Sequence, residues 1–203
     1  MIKLENVSFS YESKNVLEKC NVTIDQNKIT FIIGKNGSGK STLAGIISGY
    51  NIINSGKVII NNKNIYKKKL NRFKNNLNLI ELRKLVSNVF QNPNTQIIFP
   101  RVYDDLKFTL ENINYKNNID NKINEVLKTL NIEEYKYSNP YNLSLGEKQR
   151  LTIANSLCLD SKYIIFDEPT SMLDIKGKNI IYKLIKNLKK NKGIIFITNI
   201  LDE

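Results

Sequence analysis

The 203-residue sequence predicts an α/β fold: a mostly parallel sheet, an N-terminal antiparallel β lobe and a helical subdomain. Three observations predict it. Ile29-Thr30-Phe31-Ile32-Ile33 reads as a short buried strand, runs into a glycine-rich loop and emerges at Thr42-Leu43-Ala44-Gly45-Ile46-Ile47 as a helix. Tyr163-Ile164-Ile165-Phe166 and Ile194-Ile195-Phe196-Ile197 are continuous apolar runs, the pattern of parallel strands covered on both faces. The lysine-rich amphipathic segment between them completes a βαβ unit.

Composition narrows the class. With 41% hydrophobic residues, the chain can bury one sizeable core with a small appended lobe. No apolar run is long enough to span a membrane. Met1-Ile2-Lys3-Leu4-Glu5 is a strand-like opening rather than a signal peptide. Cys20 and Cys158 are far apart and form no metal or redox motif, as expected of buried thiols in a reducing, cytosolic setting. The net charge of +12 accompanies a richness in Lys, Asn and Ile that A/T-heavy codons alone can produce. The basic residues look spread out, with dense runs at Tyr66-Lys67-Lys68-Lys69 and from Lys183 to Lys192. The second run interleaves with Ile180, Ile181, Leu184, Ile185 and Leu188 at helical spacing, as a solvated face opposite a core face does. No nucleic-acid partner is expected, and anionic lipid headgroups near a membrane partner suit the charge equally well.

The elements follow in order. Residues 1–33 alternate in strand fashion, with Leu4, Val7 and Phe9, a turn at Glu12-Ser13-Lys14-Asn15, then Val16-Leu17 and Val22-Thr23-Ile24. Tyr11 stands beside the turn, where its ring can either lie under a flat base or simply pack. Asn54-Ser55-Gly56 marks a turn into a strand at Lys57-Val58-Ile59-Ile60. Residues 63–78, basic and asparagine-rich, read as a mobile surface connection. Val86-Ser87-Asn88-Val89-Phe90 is another short buried strand, stopped by Gln91-Asn92-Pro93. From Tyr103 to Tyr141 the reading is helical, with Asp120 as an N-cap before Ile123, Val126, Leu127 and Leu130. Asn139-Pro140 ends that block. A further helix runs from Glu147 to Leu159, with Leu151, Ala154, Leu157 and Cys158 inward.

The glycine loop carries the chemistry. Gly34-Lys35-Asn36-Gly37-Ser38-Gly39-Lys40-Ser41-Thr42 satisfies G-x-x-x-x-G-K-[ST], the phosphate-binding loop. Its glycines let backbone N–H groups converge on a polyphosphate, and the helix N-terminus adds partial positive charge. Lys40 then sits at the β- and γ-phosphates and the Ser41 hydroxyl on Mg²⁺. Asp167, at a buried strand end, fits the acidic residue that holds Mg²⁺ opposite Ser41, and Glu168 can polarise a water as general base. Gln91 can reach both metal and γ-phosphate. Ser144 caps a second helix, with Gly146 in its first turn. One nucleotide does not need two such anion-binding helix ends from one subunit, which points to a dimer.

These residues resemble the ATP-binding subunits of ABC transporters, over essentially the whole chain. Gly34 to Thr42 match Walker A, Gln91 the Q-loop, Leu143 to Glu147 the LSGGQ signature, Tyr163 to Glu168 Walker B and Ser171-Met172-Leu173-Asp174 the D-loop. Tyr11 matches the family's adenine-stacking aromatic. Val89-Phe90-Gln91-Asn92-Pro93-Asn94-Thr95-Gln96-Ile97-Ile98-Phe99, followed by Asp104-Asp105-Leu106, is similar to the energy-coupling-factor branch, whose importers carry cobalt and vitamins. That branch uses such a stretch beside the groove for transmembrane coupling helices. The resemblance implies a P-loop ATPase core (1–92 and 160–203) with a helical signature subdomain at about 93–159. ATP and Mg²⁺ are the implied ligands. Tyr11, Gly34, Asn36, Gly37, Ser38, Gly39, Lys40, Ser41 and Thr42 would bind the nucleotide. Ser41, Gln91 and Asp167 would hold the metal. Glu168, Gln91 and Asn199 would be the catalytic set. Ser144, Gly146 and Asp174 would complete the partner's site in a head-to-tail dimer. A transmembrane coupling subunit is implied as the second partner, with the chain peripheral on the inner face of the cell membrane.

Three departures qualify the resemblance. The signature reads Leu-Ser-Leu-Gly-Glu: Leu145 replaces a glycine and can crowd the phosphate cage, while Glu147 brings a carboxylate that is unfavourable there unless it points away. Thr198-Asn199 stands where Thr-His is expected. Asn199 can donate a hydrogen bond but cannot carry a proton or positive charge, so slow hydrolysis is expected. The chain stops at Leu201-Asp202-Glu203, where relatives continue. The first two departures suit a heterodimer, with a homodimer as the alternative. A non-hydrolysing regulatory subunit and a soluble non-transport ABC ATPase are the competing classes.

Overall fold

The structure is a computed structural model describing residues 1–12, 14–69 and 72–199. The chain begins with β1 (Ile2–Tyr11), β2 (Lys14–Ile24) and β3 (Ile29–Ile33), followed by α1 (Lys40–Ile47). Next come β4 (Ser55–Ile60), β5 (Lys63–Asn64), β6 (Tyr66–Lys69), β7 (Arg72–Asn75), α2 (Leu79–Leu85) and β8 (Val86–Val89). A helical stretch holds α3 (Val102–Asn112), α4 (Ile119–Thr129) and α5 (Leu145–Cys158), with short 3-10 turns at Pro93–Thr95, Glu133–Tyr135 and Pro140–Asn142. Then β9 (Tyr163–Asp167), α6 (Ile175–Leu188) and β10 (Gly193–Thr198) complete the described chain.

The strands form an antiparallel sheet in the order β2-β1-β4-β5, a parallel sheet in the order β3-β10-β9-β8, and a separate β6-β7 ribbon. Within β1 the buried face changes from Ile2 and Leu4 to Val7 and Phe9. A register shift between Leu4 and Val7 accounts for this, with Asn6 at φ 49°. One extra residue moves the inward set from even to odd positions. Gly56 lies opposite, and a Cβ there would come within 2.4 Å of the Asn6 carbonyl oxygen.

Both faces of the parallel sheet are covered, as its apolar runs require. Successive side chains of a strand point to opposite faces, so each central strand feeds two cores. Ile164, Phe166, Ile194 and Phe196 pack with the helical stretch and α6. Tyr163, Ile165, Ile195 and Ile197 pack with α1 and the antiparallel sheet.

Four expectations change. The strand before the glycine loop is not buried: among the described residues β3 lies at the edge of its sheet, paired only with β10, and Phe31 and Ile33 are each 48% exposed. Residues 63–78 are not a structureless connection. They contain β5 and the β6-β7 ribbon, tied down by the buried Tyr66, whose hydroxyl donates to the carbonyl oxygens of Ile46 at 2.5 Å and Asn51 at 2.7 Å. The cap before Ile123 is Asn118 rather than Asp120, because its side chain accepts from the Asn121 N–H at 2.8 Å; Asp120 lies in the first turn. The block from 103 to 141 is two helices and two 3-10 turns, because Asn114 and Asn131 adopt left-handed backbone (φ 52° and 51°) after each helix. In the first turn, Ser13 lies outside the described residues, as do Leu201-Asp202-Glu203.

Candidate active site

The C-terminal end of the parallel sheet gathers residues from four distant segments. β3 leads into the glycine loop, and Gly37 and Gly39 adopt φ +77° and +92°. That left-handed backbone turns the N–H groups inward, and glycine takes it without a Cβ clash. Gly39 is also the N-cap of α1. Its Cβ position lies 3.2 Å from Val16 Cγ1 and 3.3 Å from Leu17 Cδ2, so the loop is seated on β2. Lys40 is only 8% exposed. Its Nζ donates to the carbonyl oxygens of Gly34 at 2.7 Å and Lys35 at 3.1 Å, which holds the ammonium at the centre of the loop.

β9 ends beside it. The Ser41 and Asp167 side chains line the same small pocket at this sheet end. Burial pushes the Asp167 carboxyl above the usual carboxylate range, against the opposing pull of Ser41 and the Lys40 charge. A carboxylate and a hydroxyl with few protein partners form a hard-oxygen pair suited to Mg²⁺. No group of three or more His, Cys, Asp or Glu among the described residues could hold a metal ion. An ion here would therefore depend on phosphate and water oxygens for most of its ligands. The residues present thus fit Mg²⁺ accompanying a nucleotide.

Glu168 follows in left-handed backbone, φ 48°, with its N–H on the Ile197 carbonyl oxygen at 3.0 Å. This bond ties the end of β9 to β10. Its carboxylate accepts from Gln91 Nε2 at 3.1 Å, and the same nitrogen lies 3.2 Å from the Ser171 hydroxyl oxygen. Asn199, after β10, donates through Nδ2 to Asn36 Oδ1 in the glycine loop at 3.2 Å. Tyr11 is half exposed beside α1. Its hydroxyl accepts from Asn51 Nδ2 at 3.1 Å, and Asn51 also approaches the Thr42 carbonyl oxygen at 3.4 Å. Its ring stands edge-on to Phe9, centroids 4.8 Å apart, leaving a face for another flat ring.

Ser144, Gly146 and Asp174 are not part of this assembly. They line a separate cavity of about 450 Å³ between the N-termini of α5 and α6. Asp174 caps α6 through the Gly177 N–H at 2.8 Å. Ser144 caps α5 in a capping box with Glu147. The Glu147 carboxylate is turned back into its own helix: one oxygen accepts from the Ser144 N–H at 2.8 Å, the other from the Tyr135 hydroxyl at 2.8 Å. Burial raises its pKa, but the Ser144 and Tyr135 bonds outweigh it and leave the carboxyl below its ordinary range. Gly146 has open space where a Cβ would be.

Several positioning residues escape sequence reasoning. Gln96 accepts from the Phe90 N–H at 2.8 Å and donates to the Asn88 carbonyl oxygen at 3.1 Å. The buried Gln149 of α5 donates to the Phe90 carbonyl oxygen at 3.3 Å. Gln91 thus leaves a backbone held from both sides. The buried Asp105 accepts from the N–H groups of Ile98 and Phe99 and from Asn155 Nδ2 at 2.6 Å. These contacts line a groove of about 610 Å³ between α2 and α3, where Tyr50, Ile98 and Phe108 are exposed. Gln96 and Asp105 had a signal, through the second glutamine of the VFQNPNTQ stretch and the Asp104-Asp105-Leu106 that follows it.

Residues 17–171 match the model of the ABC transporter family. The energy-coupling factor transporter ATP-binding protein EcfA1 of Fusobacterium nucleatum is 42% identical over 98% of this chain and 73% of its own length. The EcfA1 of Mycoplasma mobile is 39% identical over 100% of this chain and 73% of its own. Among solved structures, cbiO1 from Clostridium perfringens, part of the ABC transporter complex cbiONQ, superposes with a TM-score of 0.84 at 32% identity, covering 99% of this chain and 79% of that one. The ATP-binding cassette MJ0796, a dimer bound to ADP and Pi, gives 0.82 at 27% identity, covering 100% and 89%. The fold, the converging motifs and these likenesses agree: the chain belongs to the ABC transporter family, as an ATP-binding subunit resembling those of energy-coupling-factor transporters.

Proposed function

We propose that this chain is the ATP-binding and hydrolysing subunit of an energy-coupling-factor importer for a vitamin or a transition-metal ion. It would work as one half of a head-to-tail ATPase dimer on the inner face of the cell membrane. The observation that carries the reading is the convergence of the glycine loop, Asp167, the Gln91–Glu168 pair at 3.1 Å and the Asn199–Asn36 contact at 3.2 Å at the C-terminal end of the parallel sheet. Lys40 and the loop N–H groups bind the polyphosphate, and the face of Tyr11 takes the adenine. Ser41, Asp167 and Gln91 hold Mg²⁺, which supplies charge neutralisation at the phosphates. Glu168 orients and deprotonates the attacking water. Asn199 reaches the γ-phosphate side of the loop as a neutral donor, so turnover at this site is slow. Ser144 and Gly146, with Asp174, serve the partner's nucleotide. Their lying in a separate cavity supports that division, and the altered signature and Asn199 would then fall in different composite sites, which favours a heterodimer. The core is 1–92 with 160–203, and the helical subdomain spans about 93–159. The groove lined by Tyr50, Ile98 and Phe108 receives the transmembrane coupling subunit.

The test is ATP turnover by the chain assembled with its membrane partner, against Glu168→Gln and Asn199→His. Glu168→Gln is expected to retain ATP binding while losing on the order of a hundredfold in rate, and Asn199→His to raise the wild-type rate. A Glu168→Gln variant as active as wild type would remove the catalytic assignment.

A further inference from the structure

The positive charge is less dispersed than its scatter along the sequence suggests. Residues 26–80 contain ten lysines and arginines and no aspartate or glutamate, leaving 21 basic against 19 acidic residues in the rest of the chain. Nearly all the net charge of +12 therefore originates in this one segment, and half of its cations belong to the β6-β7 ribbon.

The ribbon's register makes the arrangement unusual. Tyr66 pairs with Asn75, Lys67 with Lys74, Lys68 with Phe73 and Lys69 with Arg72. Positions 67, 69, 72 and 74 fall on one side of an antiparallel pair, and all four are basic. Like charges directly opposite each other destabilise a ladder. Lys67, Lys68 and Lys74 are exposed, and among the described residues none of the three has an ion-pair partner. The other side is anchored: Tyr66 is buried on α1, and Asn75 Nδ2 donates to the Gly49 carbonyl oxygen at 3.2 Å. Gly49 adjoins Tyr50, which lines the groove. The ribbon therefore adjoins the segment that lines that groove, with Lys67 and Lys74 exposed on the side away from Tyr66.

We infer that the β6-β7 ribbon is a docking surface for the anionic headgroups of the cytoplasmic leaflet, set beside the groove for the membrane subunit. The inference rests on the reading of that groove. A membrane subunit seated there would bring the ribbon to the bilayer face, where a negative surface offsets the Lys67–Lys74 repulsion and acts within about one Debye length.

The experiment measures sedimentation of the full chain with vesicles carrying about 30% phosphatidylglycerol, and with pure phosphatidylcholine, at low and high salt. Wild type is expected to bind the anionic vesicles alone, and salt to release it. The triple substitution Lys67→Gln, Lys68→Gln, Lys74→Gln is expected to lower the partition coefficient roughly a hundredfold, about fivefold per charge. Lys183→Gln, Lys186→Gln, Lys190→Gln on and beside α6 should change it less than about twofold. ATP binding by both triples verifies folding. Equal binding to neutral vesicles, or equal losses in both triples, overturns the inference. So does a ribbon triple that loses affinity for single-stranded RNA but keeps its vesicle binding. Capture of the membrane subunit is scored separately. Wild type that captures no such subunit yet binds anionic vesicles through the ribbon sinks the groove reading alone, whereas capture without a response to vesicle charge sinks this inference alone.

Discussion

Glu147→Gln would restore the residue that the family signature expects, yet the structure predicts a less stable protein. The carboxylate serves two donors, the Ser144 N–H and the Tyr135 hydroxyl, each at 2.8 Å. A glutamine can keep both partners, accepting from Ser144 through its oxygen and donating to the tyrosine oxygen through its amide. What disappears is the charge: two ionic hydrogen bonds become neutral, and an anion is removed from the first turn of α5. Because the carboxylate is partly solvated, the loss lies at the low end for such bonds, about 1 kcal/mol. For a chain of this size that lowers Tm by about 2–4 °C. The folded-state pKa of Glu147 lies below its ordinary value, so the wild-type advantage is complete above the ordinary glutamate pKa and declines as pH falls through the lowered one. Urea unfolding of both proteins between pH 7 and pH 4 measures this: the gap should be widest at neutral pH and shrink toward the acid end. A variant more stable than wild type at pH 7, or a gap that does not depend on pH, would refute the reasoning. So would a tenfold rise in ATP turnover, the expected result if the carboxylate faced a partner's phosphate.

Two further predictions concern packing around the site. Gly39→Ala forces a Cβ into left-handed backbone at φ +92° and against Val16 and Leu17, and should destabilise the chain by about 1–2 kcal/mol in a thermal melt without nucleotide. Cys158 is fully buried on the inner face of α5, and burial pushes its thiol up to about 12. A disulfide reagent at pH 8 should therefore label the partly buried Cys20 first and reach Cys158 only on unfolding; rapid labelling of Cys158 in a Cys20→Ser variant would contradict the packing of α5.

The glycine loop and its strand–helix context were legible because their chemistry is local: a phosphate cradle needs its glycines, lysine and hydroxyl within nine residues. Asp167 and Glu168 were legible for the same reason, at the end of an unbroken apolar run. The hold of Gln149 on Phe90 was not, since it joins residues 59 positions apart, and no local pattern marks a buried glutamine for that task. The ribbon was missed because lysine and asparagine have low strand propensity. What forms it is the anchorage of Tyr66 and Asn75 to neighbouring segments, a tertiary effect. The concern over Glu147 was resolved by its capping bond to the Ser144 N–H and by Tyr135, twelve residues away. The edge position of β3 is likewise a property of sheet order, which an apolar run of five residues does not encode.

That edge position has a consequence for how the molecule responds to ligand. Among the described residues β3 is held by a ladder on one side only, so detaching it breaks fewer of their bonds than detaching β9 or β10, which places it among the segments that open at lower free-energy cost. Yet the phosphate cradle hangs from its C-terminal end. Any nucleotide gripped by the closed loop draws population away from the detached form in proportion to occupancy, through mass action alone. Filling of the cradle and attachment of its supporting strand to β10 are thereby coupled, so whatever the loop grips also holds β3 in the sheet.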